Sequence, residues 1–248
     1  MHTRRPMPGL LIMLLAPGVL ADVQTFNDPG AFLAALQQAG LDTNATLTFE
    51  QIPAGTALTF GQPVGGYPGQ WQFYDWRDQP GAYVPSDARV TDYFPTHTAP
   101  HSLGLPGAWG RFLPGDRIAV FHGAGPQRQV RAVGVVVVTT RLAPAGAISL
   151  ITPQAVVANT ATPFAQFGSG ESATEGHFLG VLSDQPIVGF EIGSAPLSGV
   201  FAWTADTLYA GVPAAAIPAT STLTLGLLAG VLVLAAARLM RRRLSIEH

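Results

Sequence analysis

The residues best suited to bind a ligand lie between positions 61 and 116, a stretch rich in aromatic, glycine and proline residues. Sugar rings carry C–H groups that stack on aromatic faces, and their hydroxyls bond to carboxylates and guanidinium groups. A long segment holding both kinds of side chain suits a glycan site, so we predict carbohydrate binding there. The candidate ligand-binding residues are Trp71, Tyr74, Asp75, Trp76, Asp78 and Tyr83. The alternative is that several of these aromatics form a core beneath the loops.

Catalysis is a second alternative for the same segment. A glycoside hydrolase needs two carboxyl groups about 5–10 Å apart across a cleft, and carboxylates of the 61–116 region are the candidates. Asp75 and Asp78 are close in sequence, however, and no glutamate occurs in this region. Ser172 lies in Gly-Glu-Ser-Ala-Thr, which departs from the Gly-x-Ser-x-Gly turn of serine hydrolases. The sequence therefore favours a protein that is not an enzyme.

Metal and thiol chemistry are limited by composition. The chain has no cysteine, which excludes thiol catalysis and thiolate metal sites. His97 and His101 have a spacing that would suit a metal ion on a helix. Pro95 and Pro100 oppose a helix there, because proline lacks the backbone N–H and clashes with the preceding turn. We interpret both histidines as exposed loop residues.

The near-neutral total charge hides an acidic domain. The chain has a formal net charge of −2, whereas residues 22–211 hold 14 acidic residues and 7 arginines, a formal charge of −7. Phosphate backbones are bound by basic surfaces. We therefore exclude nucleic acid as a partner.

The two ends have the patterns of export and membrane insertion. Residues 1–21 combine a basic start, an apolar run and a small-x-Ala ending, which is typical of a secretory signal peptide. Residues 214–237 are uncharged and long enough to cross a bilayer as a helix. Arginines follow and should stay cytoplasmic. We predict a signal peptide at 1–21, a domain at 22–211, and a C-terminal tail with a transmembrane helix and an arginine cluster at 212–248.

Apolar and polar residues alternate with a period of two from Thr46 onward, which predicts β-strands. The candidate residues would therefore be positioned by strands and the loops between them. One short helix begins near Pro29, with Asn27 or Asp28 as its cap, and ends at Gly40. The valine-rich run at 129–140 predicts a central strand. About ten short strands predict a mostly β fold, an antiparallel, jelly-roll-like β-sandwich with one short N-terminal helix. Residues 61–116 would form long loops at one end of it.

The order of motifs in the tail carries a resemblance. Ile-Pro-Ala-Thr-Ser-Thr-Leu at 217–223 precedes the apolar run, and the arginines follow it. This order resembles the Val-Pro-Glu-Pro-Ser-Thr signal of PEP-CTERM (exosortase-sorted) proteins of Gram-negative bacteria. The chain has Ala219 and Thr220 where that family has Glu and Pro, which leaves open a variant sorting system or permanent anchoring. The sorting-motif candidates are Pro218, Ala219, Thr220, Ser221, Thr222, Arg241, Arg242 and Arg243.

The resemblance implies a location rather than an activity. It implies a precursor anchored in the inner membrane through 214–237, with the export machinery and an exosortase-like sorting enzyme as partners. The mature form would lie in the cell envelope or outside the cell. There it would be a structural or adhesive protein that binds exopolysaccharide; the alternative is a carbohydrate-active enzyme.

Short motifs in the domain, such as Phe32-Leu-Ala-Ala-Leu36 and Asp206-Thr-Leu-Tyr-Ala-Gly211, also resemble a β-sandwich common in such proteins. In jelly-roll domains of carbohydrate-binding type, a structural calcium ion often ties the first strand to the last. Glu50 and Asp206 occupy the matching positions, and Ca²⁺ prefers carboxylate and carbonyl oxygens. The resemblance therefore implies a structural calcium ion at Glu50 and Asp206.

Overall fold

A computed structural model describes twelve parts of the chain. They are residues 22–43, 45–58, 64, 70–75, 88–93, 97–98, 100–105, 110–123, 129–140, 143–170, 173–196 and 201–214. The chain divides into two compact units, Met1–Pro213 and Ala214–His248, and only Ala214 of the second is described. The predicted signal peptide, membrane segment and sorting motif lie outside the described residues. Within the described parts, no helix has the length and hydropathy needed to cross a membrane.

In its described parts the domain is mostly β, with two antiparallel sheets and one α-helix, as the alternation predicts. The helix, α1, runs Pro29–Gln38. The strands are β1 (Val23–Phe26), β2 (Leu41–Asp42), β3 (Ala57–Leu58), β4 (Gln70–Asp75), β5 (Ala88–Thr91), β6 (Ser102–Gly104), β7 (Arg117–Gly123), β8 (Ala132–Thr140), β9 (Ile148–Ile151), β10 (Val156–Ala158), β11 (Ala165–Phe167), β12 (Thr174–Ser183), β13 (Gly189–Ser194) and β14 (Trp203–Pro213).

The strands form a sandwich with its main core between the two sheets. The nine-stranded sheet has the order β1-β12-β8-β14-β6-β5-β3, with β11 also paired to β12 and β2 to β14; the five-stranded sheet has the order β10-β9-β13-β7-β4. Side chains from both sheets share one apolar cluster, including Val135 and Leu179 from the larger sheet and Val120 and Ile192 from the smaller. This packing of two inner faces removes the apolar side of each sheet from water.

The predicted helix signals are confirmed. The Asp28 carboxylate accepts a hydrogen bond from the Ala31 N–H at 2.7 Å, and Pro29 opens the first turn. Gly40 follows the helix with a φ of 67°, a left-handed conformation that favours glycine. Asn27, the other candidate cap, instead donates to the carbonyl oxygens of Ala158 and Phe178.

The central strand β8 is buried on both faces, as its valine-rich sequence indicates. Val133, Val135 and Val137 face the core between the sheets. Ala132, Val136 and Val138 belong to a second cluster, in which Phe32 and Leu36 of α1 pack on the outer face of the larger sheet. The helix therefore covers part of the face that would otherwise meet solvent.

Two expectations about strands are corrected. The alternation predicts separate strands at 200–203 and 207–209, but Trp203 and residues 207–209 lie in the single strand β14, which begins at Trp203. A bulge between Ala205 and Leu208 shifts the register and so interrupts the period-two pattern. The 61–116 region is also more than loops, because β4, β5 and β6 lie within it.

Candidate functional site

Trp71 lies in the core. Its side chain is fully buried in the cluster between the sheets, and its indole N–H donates to the Ala45 carbonyl at 3.0 Å. Its ring also meets His122 edge-on, with 4.7 Å between ring centroids. A fully covered ring offers no face to a sugar, so Trp71 fits the alternative in which aromatics of this segment pack beneath the loops.

The other predicted ligand-binding residues are described only in part. Tyr74 and Asp75 belong to β4, and their backbones pair with Ala119 and Ile118 of β7. Their side chains, and all of Trp76, Asp78 and Tyr83, lie outside the description. The glycan site at these residues stays a prediction, as does the hydrolase alternative that depends on Asp75 and Asp78.

The two predicted calcium ligands come from neighbouring segments. Leu47 and Leu208 exchange two backbone hydrogen bonds of 2.8 and 2.9 Å, which sets the segment that leads to Glu50 beside β14. The Glu50 Oε1 atom accepts a hydrogen bond from the His101 N–H at 3.4 Å. Three residues earlier on the same loop, Thr98 binds Asp206. Both carboxylates therefore hold one loop to the larger sheet.

Asp206 makes the stronger of these two attachments. It follows Ala205 at the bulge of β14 and is fully buried. Its carboxylate accepts hydrogen bonds from the Thr98 N–H at 2.9 Å, the Thr98 hydroxyl at 2.6 Å and the Thr207 hydroxyl at 3.1 Å. Burial raises the pKa of Asp206 above its usual value, while these hydrogen bonds and the charge of His97 act in the opposite direction. Asp206 is thus a buried acceptor that joins a distant loop to the last strand.

Calcium binding at Glu50 and Asp206 stays a prediction. Two carboxylates are ligands that Ca²⁺ prefers, but both Asp206 oxygens already accept hydrogen bonds from Thr98 or Thr207. Among the residues that the structure describes, no group of three or more His, Cys, Asp or Glu side chains could hold a metal ion. A cation there would share Asp206 with the loop donors and would need further backbone or hydroxyl oxygens.

Replacing Asp206 with alanine should lower the free energy of unfolding by about 2–3 kcal/mol, because the half-buried donors of Thr98 and the buried hydroxyl of Thr207 lose their acceptor. Thermal and denaturant unfolding of the purified protein measure the change. Asp206→Asn keeps one side-chain oxygen as an acceptor and should lose less. Equal stability of the alanine variant and the parent protein would show that the Asp206–Thr98 attachment contributes nothing.

Sequence reasoning missed other polar attachments that join distant segments. The Ser194 hydroxyl accepts from the Trp203 indole N–H at 3.1 Å and from the Gly115 N–H at 3.0 Å, which links the two sheets and a turn. Asn159 accepts from the Ile148 N–H and donates to the Pro144 carbonyl. Each of these polar residues lies at the end of an apolar strand or directly after it, which could have marked it in the sequence. That position does not show which distant group the side chain binds.

Two histidines are buried near the sheets' inner faces. Neither ring nitrogen of His122 or His177 has a hydrogen-bond partner in another described residue, although His177 Nε2 lies 3.9 Å from the Glu175 carboxylate. Burial lowers the pKa of His122 from 6.5 to about 4, against a smaller opposing effect of its own backbone, and burial also lowers the pKa of His177. Both are therefore neutral in the folded protein at pH 7.

Acidification should destabilise the domain between pH 6.5 and 4. As the pH falls through 6.5, His122 takes up a proton in the unfolded chain but not in the folded one, so unfolding is favoured. The expected loss at pH 4 is about 2–3 kcal/mol from this residue. His177 acts in the same direction, whereas the raised pKa values of Asp116 and Asp206 oppose the loss as the pH falls towards 3.8, the ordinary pKa of a free aspartate.

Unfolding free energies measured at several pH values, for the parent protein and for His122→Gln, check this expectation. The variant should show a shallower decline between pH 6.5 and 4, and the remaining slope should reflect His177 together with the opposing effects of Asp116 and Asp206. Parallel curves would exclude His122 as a source of the acid sensitivity.

Comparisons with known proteins identify no relative of this chain. No family model matches the chain, and neither a curated protein nor a solved structure matches it.

Proposed function

We propose that the chain is an exported protein of the cell envelope or extracellular matrix, with a structural or adhesive role and with exopolysaccharide as its ligand. The signal-peptide pattern at 1–21 and the apolar tail with its arginines support export and membrane attachment. The acidic β-sandwich between them would be the part that acts outside the cytoplasm.

The observation that carries the proposal is how this sandwich uses its buried polar side chains. The buried Asp206 and Ser194 side chains bind Thr98 and Gly115, which are 108 and 79 residues away in the sequence. Such attachments hold loops in place on a rigid support, which suits a domain that displays a surface. They also provide cross-links by hydrogen bonding in a chain that has no disulfide.

We propose that the sandwich is jelly-roll-like. The pairing of Leu47 with Leu208, and of Asp42 with Val212, places early segments beside the last strand. We expect the first and last segments of a jelly-roll domain to be neighbours in this way.

The tail would act as a sorting address. In this proposal residues 214–237 hold the precursor in the inner membrane, and an exosortase-like enzyme recognises the Pro218–Thr222 motif. Ala219 and Thr220 replace the usual Glu and Pro, so the alternative is a permanent anchor. Either route leaves the domain at 22–211 on the far side of the membrane.

Fractionation of the native host tests the proposal. The protein should be recovered from the envelope or matrix fraction, and a variant that ends at Pro213, the last residue of β14, should be released in soluble form because it lacks the attachment. A variant with Arg238, Arg241, Arg242 and Arg243 replaced by glutamine tests the tail separately, since weakened cytoplasmic anchoring should alter its membrane orientation. Recovery of the complete chain from the cytosol would overturn the proposal.

A further inference from the structure

A small exposed surface beside β5 combines an aromatic ring with charged side chains. Tyr93 is 46% exposed and Leu113 is 42% exposed, and Tyr93 is the exposed aromatic residue among the large hydrophobic residues that the structure describes as exposed. Asp92 is also exposed, and Arg111 is partly exposed. We call Asp92, Tyr93, Arg111 and Leu113 the Tyr93 patch.

The ring of Tyr93 is held by a cation. The guanidinium carbon of Arg111 lies 4.9 Å from the centroid of the ring, within the range of a cation–π contact. Stacking on one side fixes the orientation of the ring while nearly half of the side chain stays open to solvent. An aromatic ring that is both exposed and fixed in orientation is suited to binding a ligand.

The segments on both sides of the contact are firmly attached. The Tyr93 N–H donates to the Thr91 hydroxyl at 3.2 Å. Gly110 packs so closely on Thr91 that a Cβ atom at this position would collide with the Thr91 hydroxyl. Next to Arg111, Phe112 exchanges two backbone hydrogen bonds with Trp203. A patch built on such supports binds without a large loss of conformational entropy.

The Asp116 carboxylate fixes the backbone of the patch at Leu113. The Asp116 side chain accepts a hydrogen bond from the Leu113 N–H at 2.6 Å, and the neighbouring Gly115 N–H donates to Ser194. Leu113 therefore holds a defined position although its side chain is exposed. Exposed apolar surface that is locally ordered and bordered by charged groups is typical of a ligand site.

We propose that the Tyr93 patch is a binding subsite for a neutral polysaccharide. The exposed part of the Tyr93 ring would meet the C–H groups of a sugar ring, and the exposed Leu113 side chain, two residues after Arg111, would extend the apolar surface. Arg111 and Asp92 would hydrogen-bond to its hydroxyls, one as a donor and the other as an acceptor. The inference rests on the proposed function and names the part of the sandwich that would contact the polymer.

The negative charge of the domain favours a neutral polymer over an acidic one as the ligand of the patch. Residues 22–211 carry a formal charge of −7, and a polyanion approaching such a surface would be repelled. The patch itself contains one arginine and one aspartate, so it has no net positive charge to offset that repulsion. Neutral hydroxyl groups can use both side chains at once.

Affinity electrophoresis of the full chain in mild detergent tests the site. The probes are the neutral polymers dextran, galactomannan and xyloglucan, with alginate as the acidic comparison. At least one neutral polymer should retard the parent protein, and alginate should not. Tyr93→Ala should weaken that retardation about tenfold or more, Tyr93→Phe should keep most of it, and Arg111→Gln should weaken it.

The matched control is Leu33→Ala, which removes an exposed apolar side chain from α1 and should bind like the parent. Far-ultraviolet circular dichroism shows whether each variant remains folded. Equal retardation of Tyr93→Ala and the parent would overturn the subsite but leave polysaccharide binding intact. Binding to alginate alone, or to none of the polymers, would also overturn the subsite, while envelope fractionation separately decides the proposed location.

Discussion

Replacing Trp203 with alanine is expected to lower the free energy of unfolding by about 3–5 kcal/mol. Trp203 is fully buried at the start of β14 and stacks on Phe112, with 4.2 Å between ring centroids. Its indole N–H donates to the Ser194 hydroxyl in β13, so one side chain joins the larger sheet to the smaller one. A domain of this size has about 5–15 kcal/mol of stability in total. The loss would be measured by denaturant unfolding of the purified protein.

Trp203→Phe separates the two contributions of this residue. It keeps an aromatic ring against Phe112 but removes the N–H that binds Ser194, so it should lose less than the alanine variant. Ser194→Ala tests the same hydrogen bond from the other sheet. If Trp203→Ala unfolds at the same denaturant concentration as the parent, Trp203 does not join the sheets in solution.

Replacing Phe32 with alanine should have an effect of similar size, about 3–5 kcal/mol. Phe32 is fully buried, and its ring lies 5.5, 5.1 and 6.1 Å from those of Phe26, Phe178 and Tyr209. The substitution would open a cavity between α1 and the outer face of the larger sheet. Thermal unfolding followed by circular dichroism gives the change in stability.

Leu33→Ala provides the matched control for this experiment. Leu33 is the next residue of α1 and is 39% exposed, so its substitution should change stability by less than about 1 kcal/mol. Similar losses at positions 32 and 33 would contradict the packing of α1 on the sheet.

Glycines beneath Phe32 explain why this contact is so close. A Cβ atom at Gly180 would lie 2.9 Å from a ring carbon of Phe32 and 2.7 Å from one of Phe178, and Gly134 is similarly crowded. These glycines give the two rings room against the strands. They are among the features that alternation alone does not predict, because they depend on which helix packs on the sheet.

Local signals were sufficient for the helix and the central strand. The cap, proline and glycine around α1 are all within a few residues of it, and the valines of β8 indicate burial on both faces. The same alternation places Trp71 and Phe73 on one face of β4, and both are buried. Aromatic richness alone suggested a binding platform, whereas strand register identifies these two residues as core.

Long-range contacts could not be read from the sequence. Asp206 stood out by its position in the last strand, but its partner Thr98 is 108 residues away. The bulge that places Asp206 beside that loop also breaks the pattern by which strands are recognised. The Tyr93 patch was missed for the same reason, since Arg111 and Tyr93 are 18 residues apart in the sequence and are brought together by the packing of the segments that hold them.

The central claim is that the protein is exported to the envelope or matrix and processed there. The most direct test is the intact mass of the protein recovered from the native envelope or matrix fraction. We predict a chain that begins at Asp22 and ends before Arg238, which requires both signal removal and processing of the tail. A mass that retains Arg238–Arg243 but lacks residues 1–21 would identify a permanent anchor. A mass that includes Met1–Ala21 would contradict export with signal cleavage and, with it, the proposed function.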